Sequence, residues 1–216
     1  MTRIARGRFI VLVGIDGSGK TSLLSSLGTA RLITSSWRDL RNHELPSVMA
    51  PDAPTAIKNR LTAVPRAMFI GGHIVAQYEY LVRPQLALGR DVLLDSYWYK
   101  VVAKERILGR LHPSLTELCE LLPVPDAVIV LVTDPGVAFA RKRGTPAPYE
   151  YFHQPVEEDF TRFQSRLRDQ LDTALVGHPA VHRLDANRDF ASVRASVAQL
   201  VDHPAAVAPR AMEPLS

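Results

Sequence analysis

Residues 14–21 read Gly-Ile-Asp-Gly-Ser-Gly-Lys-Thr and match the pattern G-x-x-x-x-G-K-[S/T] at every fixed position. A short apolar run, residues 9–13, precedes this stretch, and a helical pattern follows it from Lys20 onward. Strand, glycine-rich turn and helix in this order are the context in which the pattern binds phosphate. The glycines let the backbone curl, so that several N–H groups point at one anion beside the positive end of the helix. We therefore expect this loop to bind the triphosphate of a nucleotide.

The polar residues of the loop have separate expected roles. Lys20 supplies a full charge toward the outer phosphates, and the Thr21 hydroxyl is a ligand for Mg²⁺. The expected cofactors are accordingly ATP and Mg²⁺. The alternative is a strand-to-helix turn that contains Gly-Lys-Thr without binding phosphate. The residues expected to contact the nucleotide are Gly14, Asp16, Gly17, Ser18, Gly19, Lys20, Thr21 and Ser22.

Short apolar segments alternate with longer helical patterns along the chain. This alternation predicts an α/β fold of three layers, the P-loop NTPase fold, with a parallel sheet of about five strands and helices on both faces. We expect one kinase domain over residues 1–202, with a mobile lid at about 141–154, and a disordered tail over residues 203–216. Residues 42–54 should be a loop, and residues 66–88 one long helix that is kinked by Pro84. A helix over residues 155–175 should carry an ion pair between Glu158 and Arg162, and Asp189 should cap the last helix.

Composition narrows the class of protein further. The chain has 216 residues and a formal net charge of +4, with the basic residues scattered among acidic ones. This pattern favours an enzyme of anionic small molecules, so no nucleic acid partner is expected. The single cysteine, Cys119, cannot form an internal disulfide, which suits a cytoplasmic protein, and a buried structural thiol is the expected role. Neither a signal peptide nor a membrane span is indicated.

Two aspartates carry side chains suited to phosphoryl transfer. Asp95 ends the apolar run 92–94, so a strand delivers its carboxylate to the sheet edge where ligands bind, to hold Mg²⁺ or orient the acceptor. The alternative is a cap for a helix that starts near Tyr97. Asp16 could turn from the phosphates toward a hydroxyl of the second substrate, or could have a turn role only.

Basic residues mark the expected entry to the lid. Arg141, Lys142 and Arg143 end a helical pattern directly before a segment rich in Gly and Pro. Their charges could stabilise the transferring phosphoryl group when the segment closes, or could only complement the dipole of the helix. The predicted catalytic residues are Lys20, Asp95, Arg141 and Arg143, and the predicted metal ligands are Thr21 and Asp95.

These motifs resemble the thymidylate kinase family of nucleoside monophosphate kinases over residues 9–201. The loop is similar to the family's G-x-D-G-x-G-K-[S/T], in which the Asp contacts the acceptor sugar. Phe69 resembles the base-stacking Phe, and residues 141–144 resemble the lid entry of the type that carries its catalytic arginine in the lid. The resemblance implies a kinase, a small nucleotide-like acceptor and a homodimer. It also implies an acceptor site formed by Asp16, Phe69, His73, Ser96, Tyr97 and Lys104.

The sequence departs from the family on the acceptor side. The family's D-R-[YH] reads Asp95-Ser96-Tyr97, and an expected arginine after Phe69 is His73. A-Y-Q reads Ala103-Lys104-Glu105, and T-R-E-P lacks its arginine. A neutral serine cannot replace a guanidinium on a phosphate. We therefore expect poor use of dTMP, and either other cations take over, from among Arg38, Arg60, Arg66, His73 and Lys104, or the acceptor has no phosphate.

Other functions fit part of the same pattern. A kinase of nucleosides or of another small metabolite would use the same donor site. A nucleotide-binding switch would bind without transfer, and an ATPase stimulated by nucleic acid would form no phosphorylated small product. Measuring ATP turnover with a panel of acceptors separates these functions.

Overall fold

A five-stranded sheet is the centre of the computed structural model, which describes residues 6–36, residue 39 and residues 60–203. Its strands are β1 (Phe9–Gly14), β2 (Leu32–Ser35), β3 (Asp91–Asp95), β4 (Ala127–Val132) and β5 (Val181–Asp185). They lie in the order β2-β3-β1-β4-β5, and every neighbouring pair is parallel. The chain reverses its direction of winding at β1, so the loop after β1 lies where such sheets bind their ligands.

Helices connect the strands on both faces of the sheet. In the described part of the chain they are α1 (Lys20–Leu27), α2 (Ala63–Ala76), α3 (Arg83–Ala87), α4 (Tyr99–Ile107), α5 (Pro113–Glu120), α6 (Pro135–Arg141), α7 (Glu157–Ala174) and α8 (Phe190–Asp202). A π-helical segment, Gln77–Val82, joins α2 to α3. None of the described helices is both long and apolar enough to cross a membrane.

Alternate residues of β1 belong to two different hydrophobic cores. Phe9, Val11 and Val13 pack with residues of α2, α4 and α7, whereas Ile10 and Leu12 pack with residues of α1 and α8. All six residues of β1 are buried because helices cover both faces, which is the usual state of a central parallel strand. The three-layer α/β architecture that the sequence predicted is thereby confirmed.

The prediction of one long helix over residues 66–88 is wrong in its details. The helix begins earlier, at Ala63, and changes to π-helical hydrogen bonding at Gln77, before α3 begins at Arg83. Pro84 lies in the first turn of α3, where its missing N–H leaves no hydrogen bond unmade. The wider π turn absorbs the break that a proline would otherwise cause as a kink.

Two local expectations for the later helices have opposite outcomes. Asp189 caps α8, because its carboxylate accepts the backbone N–H of Ser192 at 2.9 Å, as predicted. The spacing of Glu158 and Arg162 on the predicted helix suggests an ion pair between them. This prediction is wrong, because Arg162 pairs with Asp159. Asp159, in the first turn of α7, also accepts hydrogen bonds from the N–H groups of residues 153 and 154. These bonds hold the preceding segment against the start of the helix.

Several sequence expectations lie outside the described residues. They are Arg38, the loop at residues 42–54 and the tail from residue 204 onward. Cys119 is described, and it is a buried free thiol whose pKa burial raises to about 12. A thiol with so high a pKa is unreactive at neutral pH, as expected of a structural cysteine.

The core on the α7 face can be tested with two leucines. Leu167 is fully buried and Leu121 is 69% exposed. Leu167→Ala should lower the free energy of unfolding by about 2–5 kcal/mol, because it removes buried apolar surface and leaves a cavity. Leu121→Ala should change it by less than about 0.5 kcal/mol. Chemical denaturation measures both, and equal losses for the two variants would contradict the assigned packing.

Candidate active site

A cavity of about 1130 Å³ opens at the carboxyl ends of the strands. The loop between β1 and α1 forms one side, and the end of β3 with α4 forms the floor. Residues of α2 and of the segment 148–152 form the remaining walls. All predicted site residues except Gly14 and Arg143 line this cavity, so residues from distant parts of the sequence converge on one place.

The loop at residues 14–21 has the geometry of an anion-binding turn. Gly17 and Gly19 have φ angles of 80° and 92°, in the region that favours glycine. A side chain at Gly17 would also meet the backbone oxygen of Ala138 at 2.5 Å, so α6 packs directly against the loop. The loop is therefore held by both its own conformation and its packing.

Lys20 folds back over the loop. Its Nζ donates to the carbonyl oxygens of Gly14 and Ile15, each at 2.9 Å, and to Ser18 Oγ at 3.1 Å. Burial, helped by the charge of Lys100, lowers the pKa of Lys20 to about 7. An anion entering the loop would restore the charged form of Lys20, because it opposes both effects.

Asp16 is the buried centre of the charged cluster. Its carboxylate pairs with Lys100 Nζ at 2.6 Å and with Lys104 Nζ at 2.9 Å. Gln164 Nε2 donates to the same carboxylate at 3.1 Å, and Gln164 Oε1 accepts the Asp16 N–H at 2.9 Å. Burial alone would raise the pKa of Asp16, but the lysine charges bring it well below its usual range. The carboxylate is therefore ionised and turned toward α4.

Asp95 lies at the end of β3, and its neighbours have unusual backbone angles. Ser96 and Tyr97 have φ angles of 62° and 46°, which side chains of their size rarely adopt. Ser96 Oγ donates to Asp95 Oδ1 at 2.6 Å. The next helix begins only at Tyr99, with Trp98 at its cap position, so Asp95 is not its cap. Strained residues of this kind cluster at functional sites, because the surrounding structure must hold them.

The predicted metal ligands are compatible with magnesium. Thr21 and Asp95 both line the cavity and offer a hydroxyl and a carboxylate oxygen, which are hard donors. The described residues contain no group of three or more His, Cys, Asp or Glu side chains that could form an all-protein metal site. A cation held by two protein oxygens takes its other ligands from phosphates and water, as Mg²⁺ in nucleotide sites does. The donor set fits that kind of site.

The wall of the cavity that α2 forms carries two of the predicted acceptor residues. Phe69 and His73 lie one helical turn apart on α2, and Gln77 follows at the start of the π segment. Tyr97 lines the cavity too, but its ring packs edge-on against Phe9 with centroids 5.2 Å apart, so it belongs mainly to the core. The side-chain nitrogen of Gln77 and the hydroxyl of Tyr97 are buried without a hydrogen-bond partner. Both polar groups are therefore able to bind a ligand.

The sequence prediction gave no role to Lys100 or Gln164, and it considered Arg66 only as a cation for the acceptor. Lys100 lies beside Asp16, and Gln164 joins Asp16 to the segment above it. Arg66 forms a buried bidentate pair with Glu105, with nitrogen–oxygen distances of 2.5 and 2.6 Å. The spacing of Lys100 and Lys104, four residues apart on a predicted helix, was the available signal for one charged face.

Two of the three basic residues predicted at the lid entry line the cavity, and the third does not. Arg141 and Lys142 line the cavity, and Arg141 Nη2 donates to the backbone oxygen of Arg188 at 3.3 Å. Arg143 is exposed, has a φ angle of 54° and does not line the cavity. The helix ends at Arg141, so the turn that follows directs Arg143 away from its neighbours.

The segment after these residues is docked over the cavity. Lys142 pairs with Glu150 at 2.9 Å, and Lys104 Nζ donates to the Tyr149 oxygen at 3.1 Å. Gln164 Nε2 donates to the Glu150 oxygen at 2.9 Å while it also contacts Asp16. One fully buried glutamine thus connects the phosphate loop with the segment that covers the site.

Comparison with known proteins supports the resemblance seen in the sequence. No family model matches the chain. It is similar to a thymidylate kinase of Xanthomonas campestris, with 28% identity over 193 residues, 87% of this chain and 79% of the relative. It is also similar to a probable thymidylate kinase of Pyrobaculum aerophilum, with 26% identity over 209 residues, 89% of this chain and 95% of the relative.

The fold agrees with these sequence similarities. A solved structure of the thymidylate kinase from Candida albicans matches with a TM-score of 0.64 and 17% identity, and the match covers 91% of this chain and 92% of that one. At this identity the structural likeness speaks for the fold alone. The sequence relatives, the fold and the phosphate loop agree: over most of its length the chain is similar to thymidylate kinases, and it has the fold of a solved thymidylate kinase.

Proposed function

We propose that this chain transfers the γ-phosphoryl group of Mg-ATP to a nucleoside monophosphate or a similar nucleotide-like acceptor. One observation carries the proposal: Lys20, Asp16 and Asp95 line the same cavity as Phe69, which lies on the opposite wall. A donor with its phosphates on the loop and an acceptor against α2 would meet above Asp16 and Asp95. The names of the two sequence relatives, a thymidylate kinase and a probable thymidylate kinase, support the same reaction class.

The donor side would act by positioning and by charge. The N–H groups of the loop hold the phosphates, and Lys20, released from its carbonyl partners, follows the outer phosphate oxygens. Bound Mg²⁺ would supply positive charge at the phosphate oxygens, with Thr21 and Asp95 as its protein ligands. The in-line transfer itself requires little covalent chemistry from the protein.

The segment 145–156 would act as a lid. Its contacts with Lys104, Lys142 and Gln164 hold it over the cavity, which excludes water that would otherwise take the phosphoryl group. Arg141 lies at its base, from which its guanidinium can reach phosphate oxygens on leaving the Arg188 carbonyl. The homodimer and the cytoplasmic location that the sequence suggests remain predictions.

The first test is ATP turnover with a panel of acceptors, each product identified by mass. The panel comprises dTMP, other nucleoside monophosphates, free nucleosides and simple alcohols, with DNA and RNA as added effectors. A phosphorylated nucleotide supports the proposal, and a phosphorylated nucleoside alone favours a nucleoside kinase. Turnover that rises with nucleic acid and yields no phosphorylated acceptor, or binding without turnover, overturns it.

Lys20→Met should reduce the rate of transfer by at least about a thousandfold, because it removes the charge that follows the transferring group. The variant should fold normally, since it relieves a buried charge. Arg106→Met is the matched control: Arg106 is exposed on α4, outside the cavity, and its loss changes the net charge equally. Near-normal transfer in a folded Lys20→Met protein would contradict the role.

The affinity for Mg-ADP should fall as the pH rises above about 7. The pKa of Lys20 is about 7 in the free protein, and bound phosphates raise it, so binding takes up a proton above that pH. For one proton, the affinity decreases by at most about tenfold per pH unit. Calorimetry between pH 6.5 and 9 in buffers of different ionisation enthalpy measures the uptake. It should vanish in Lys20→Met, and a flat profile for the native protein would contradict the prediction.

The lid contacts can be tested at Gln164. Gln164→Leu keeps the side-chain size but leaves the Asp16 N–H and the Glu150 oxygen unpaired, at about 1–3 kcal/mol for each buried group. We expect lower stability and faster limited proteolysis within residues 145–156. Gln170→Leu, on the same helix but outside the cavity, is the control. Equal proteolysis of the two variants would show that Gln164 does not hold the lid.

A further inference from the structure

Among the described residues, the end of β3 and the turn after it, residues 95–99, carry no cation. Position 96 is a serine, and its hydroxyl is directed to Asp95. Arg66 is engaged by both oxygens of Glu105, and Arg60 is exposed and does not line the cavity. The transferring phosphoryl group carries charge on three oxygens and requires positive groups on more than one side. The described part of the chain must therefore supply this charge from another element.

Lys100 occupies the required region. It lies in the first turns of α4, its side chain is 15% exposed, and its Nζ is 2.6 Å from the Asp16 carboxylate. The charge of Lys100 contributes to lowering the pKa of Lys20. The negative charge of Asp95 in turn stabilises the protonated form of Lys100. Lys100, Lys20 and Asp95 line the same cavity, so their charges act on one another.

The local charges leave Lys100 with capacity for an anion. Asp16 is one carboxylate shared by two ammonium groups, those of Lys100 and Lys104. Lys104 is further engaged by the Tyr149 oxygen at 3.1 Å and by the ring of Tyr149, 4.8 Å from its centroid. Lys104 therefore belongs to the lid contact, whereas Lys100 Nζ donates to Asp16 Oδ1. An ammonium group has three donors, so Lys100 can keep Asp16 and still bind phosphate oxygens.

We propose that Lys100 is a catalytic cation of this chain, which contacts the transferring phosphoryl group where Ser96 provides no charge, and that Asp16 positions it. The inference rests on the proposed function. In the step, the bond between the γ-phosphorus and the bridging oxygen of ADP breaks, and ADP keeps the electron pair. A phosphate oxygen of the acceptor, already ionised, forms the new bond, so no proton moves. Lys100 stays protonated throughout and neutralises charge on the oxygens in transit.

Asp16 gains a different role from the one the sequence suggested. Instead of accepting a hydroxyl of the acceptor, its two oxygens receive Lys100, Lys104 and Gln164. Because the carboxylate belongs to the phosphate loop, it fixes the distance between Lys100 and the nucleotide. The separation of charges is thus set within one rigid turn rather than by a flexible side chain.

The test compares Lys100→Met, Lys100→Arg and the control Arg106→Met in single-turnover transfer from Mg-ATP to the best acceptor of the panel. Arg106 lies on the same helix and its side chain is exposed. If the contact forms mainly during transfer, Lys100→Met lowers kcat by about 10²–10³ with a small change in KM for ATP. Lys100→Arg retains the charge and should keep a rate within about tenfold of the native one.

A binding measurement distinguishes catalysis from a structural ion pair. Mg-ADP with aluminium fluoride imitates the group in transit, and the native protein should bind it more tightly than Mg-ADP alone. Lys100→Met should lose about 10²–10³ of that gain and keep the affinity for Mg-ADP within about threefold. If this variant matches Arg106→Met in rate and in binding gain, and is merely less stable, Lys100 is a structural ion-pair partner and the inference is overturned.

The two proposals fail in different ways. A native protein that yields no phosphorylated acceptor overturns the proposed function, whatever Lys100 does. A native protein that yields product while Lys100→Met is as fast as the control overturns only the role of Lys100. A loss confined to KM for ATP also overturns that role, because it assigns Lys100 to binding of the ground state.

Discussion

The active cleft depends on the ion pairs and hydrogen bonds that the ionised carboxylate of Asp16 forms. A buried carboxylate without partners would be strongly unfavourable, so the surrounding structure must supply positive charge and hydrogen bonds. Here α4 supplies Lys100 and Lys104, and α7 supplies Gln164. The phosphate loop, the helix α4 after β3 and the helix α7 are therefore held together at one residue. Removing either lysine would leave the buried carboxylate with less compensating charge, and removing Gln164 would leave buried hydrogen-bonding groups unpaired.

The sheet makes this convergence possible. Because all of its strands are parallel and both faces are covered, the loop after β1 and the end of β3 meet at the same edge. Leu12 is in register with Asp95, so the pairing of β1 with β3 places the start of the phosphate loop beside the strand-end carboxylate. The strained angles of Ser96 and Tyr97 turn the chain sharply from that carboxylate into α4. This turn brings Lys100 back over the loop.

The phosphate loop and the α2 wall of the cavity differ in the kind of residues that form them. The phosphate loop keeps every fixed position of its pattern, and the geometry of an anion-binding turn follows from its glycines. The acceptor wall carries a buried Arg66–Glu105 pair and unpaired polar groups on Gln77 and Tyr97. A bidentate buried pair adds more to the shape and specificity of a pocket than to stability. In the proposed reaction, different parts of the fold would therefore recognise the donor and the acceptor.

The sequence by itself determined the sheet, the phosphate loop and the cap at Asp189, because each depends on residues that are close along the chain. Apolar runs with the period of a buried strand and glycines at fixed spacing are local signals. It failed where two acidic groups on one helix compete for the same partner. Spacing allowed Arg162 to pair with Glu158, yet in the structure it pairs with Asp159. The length of the helix around Pro84 also depended on a π turn that no local pattern indicates.

Only the tertiary structure decided the partners of Asp16, because Lys100 and Gln164 lie 84 and 148 residues away from it in sequence. Nothing in the letters around Asp16 distinguishes a carboxylate that faces a substrate from one that holds two lysines. The choice depends on which side chains the crossover helices bring to the cleft, and on the cost of leaving buried charges unpaired. The same cost explains why Arg66, a candidate for the acceptor's phosphate, is bound to Glu105. Sequence thus determined which charges the chain carries, and the packing of α4 and α7 on the sheet decided which of them meet.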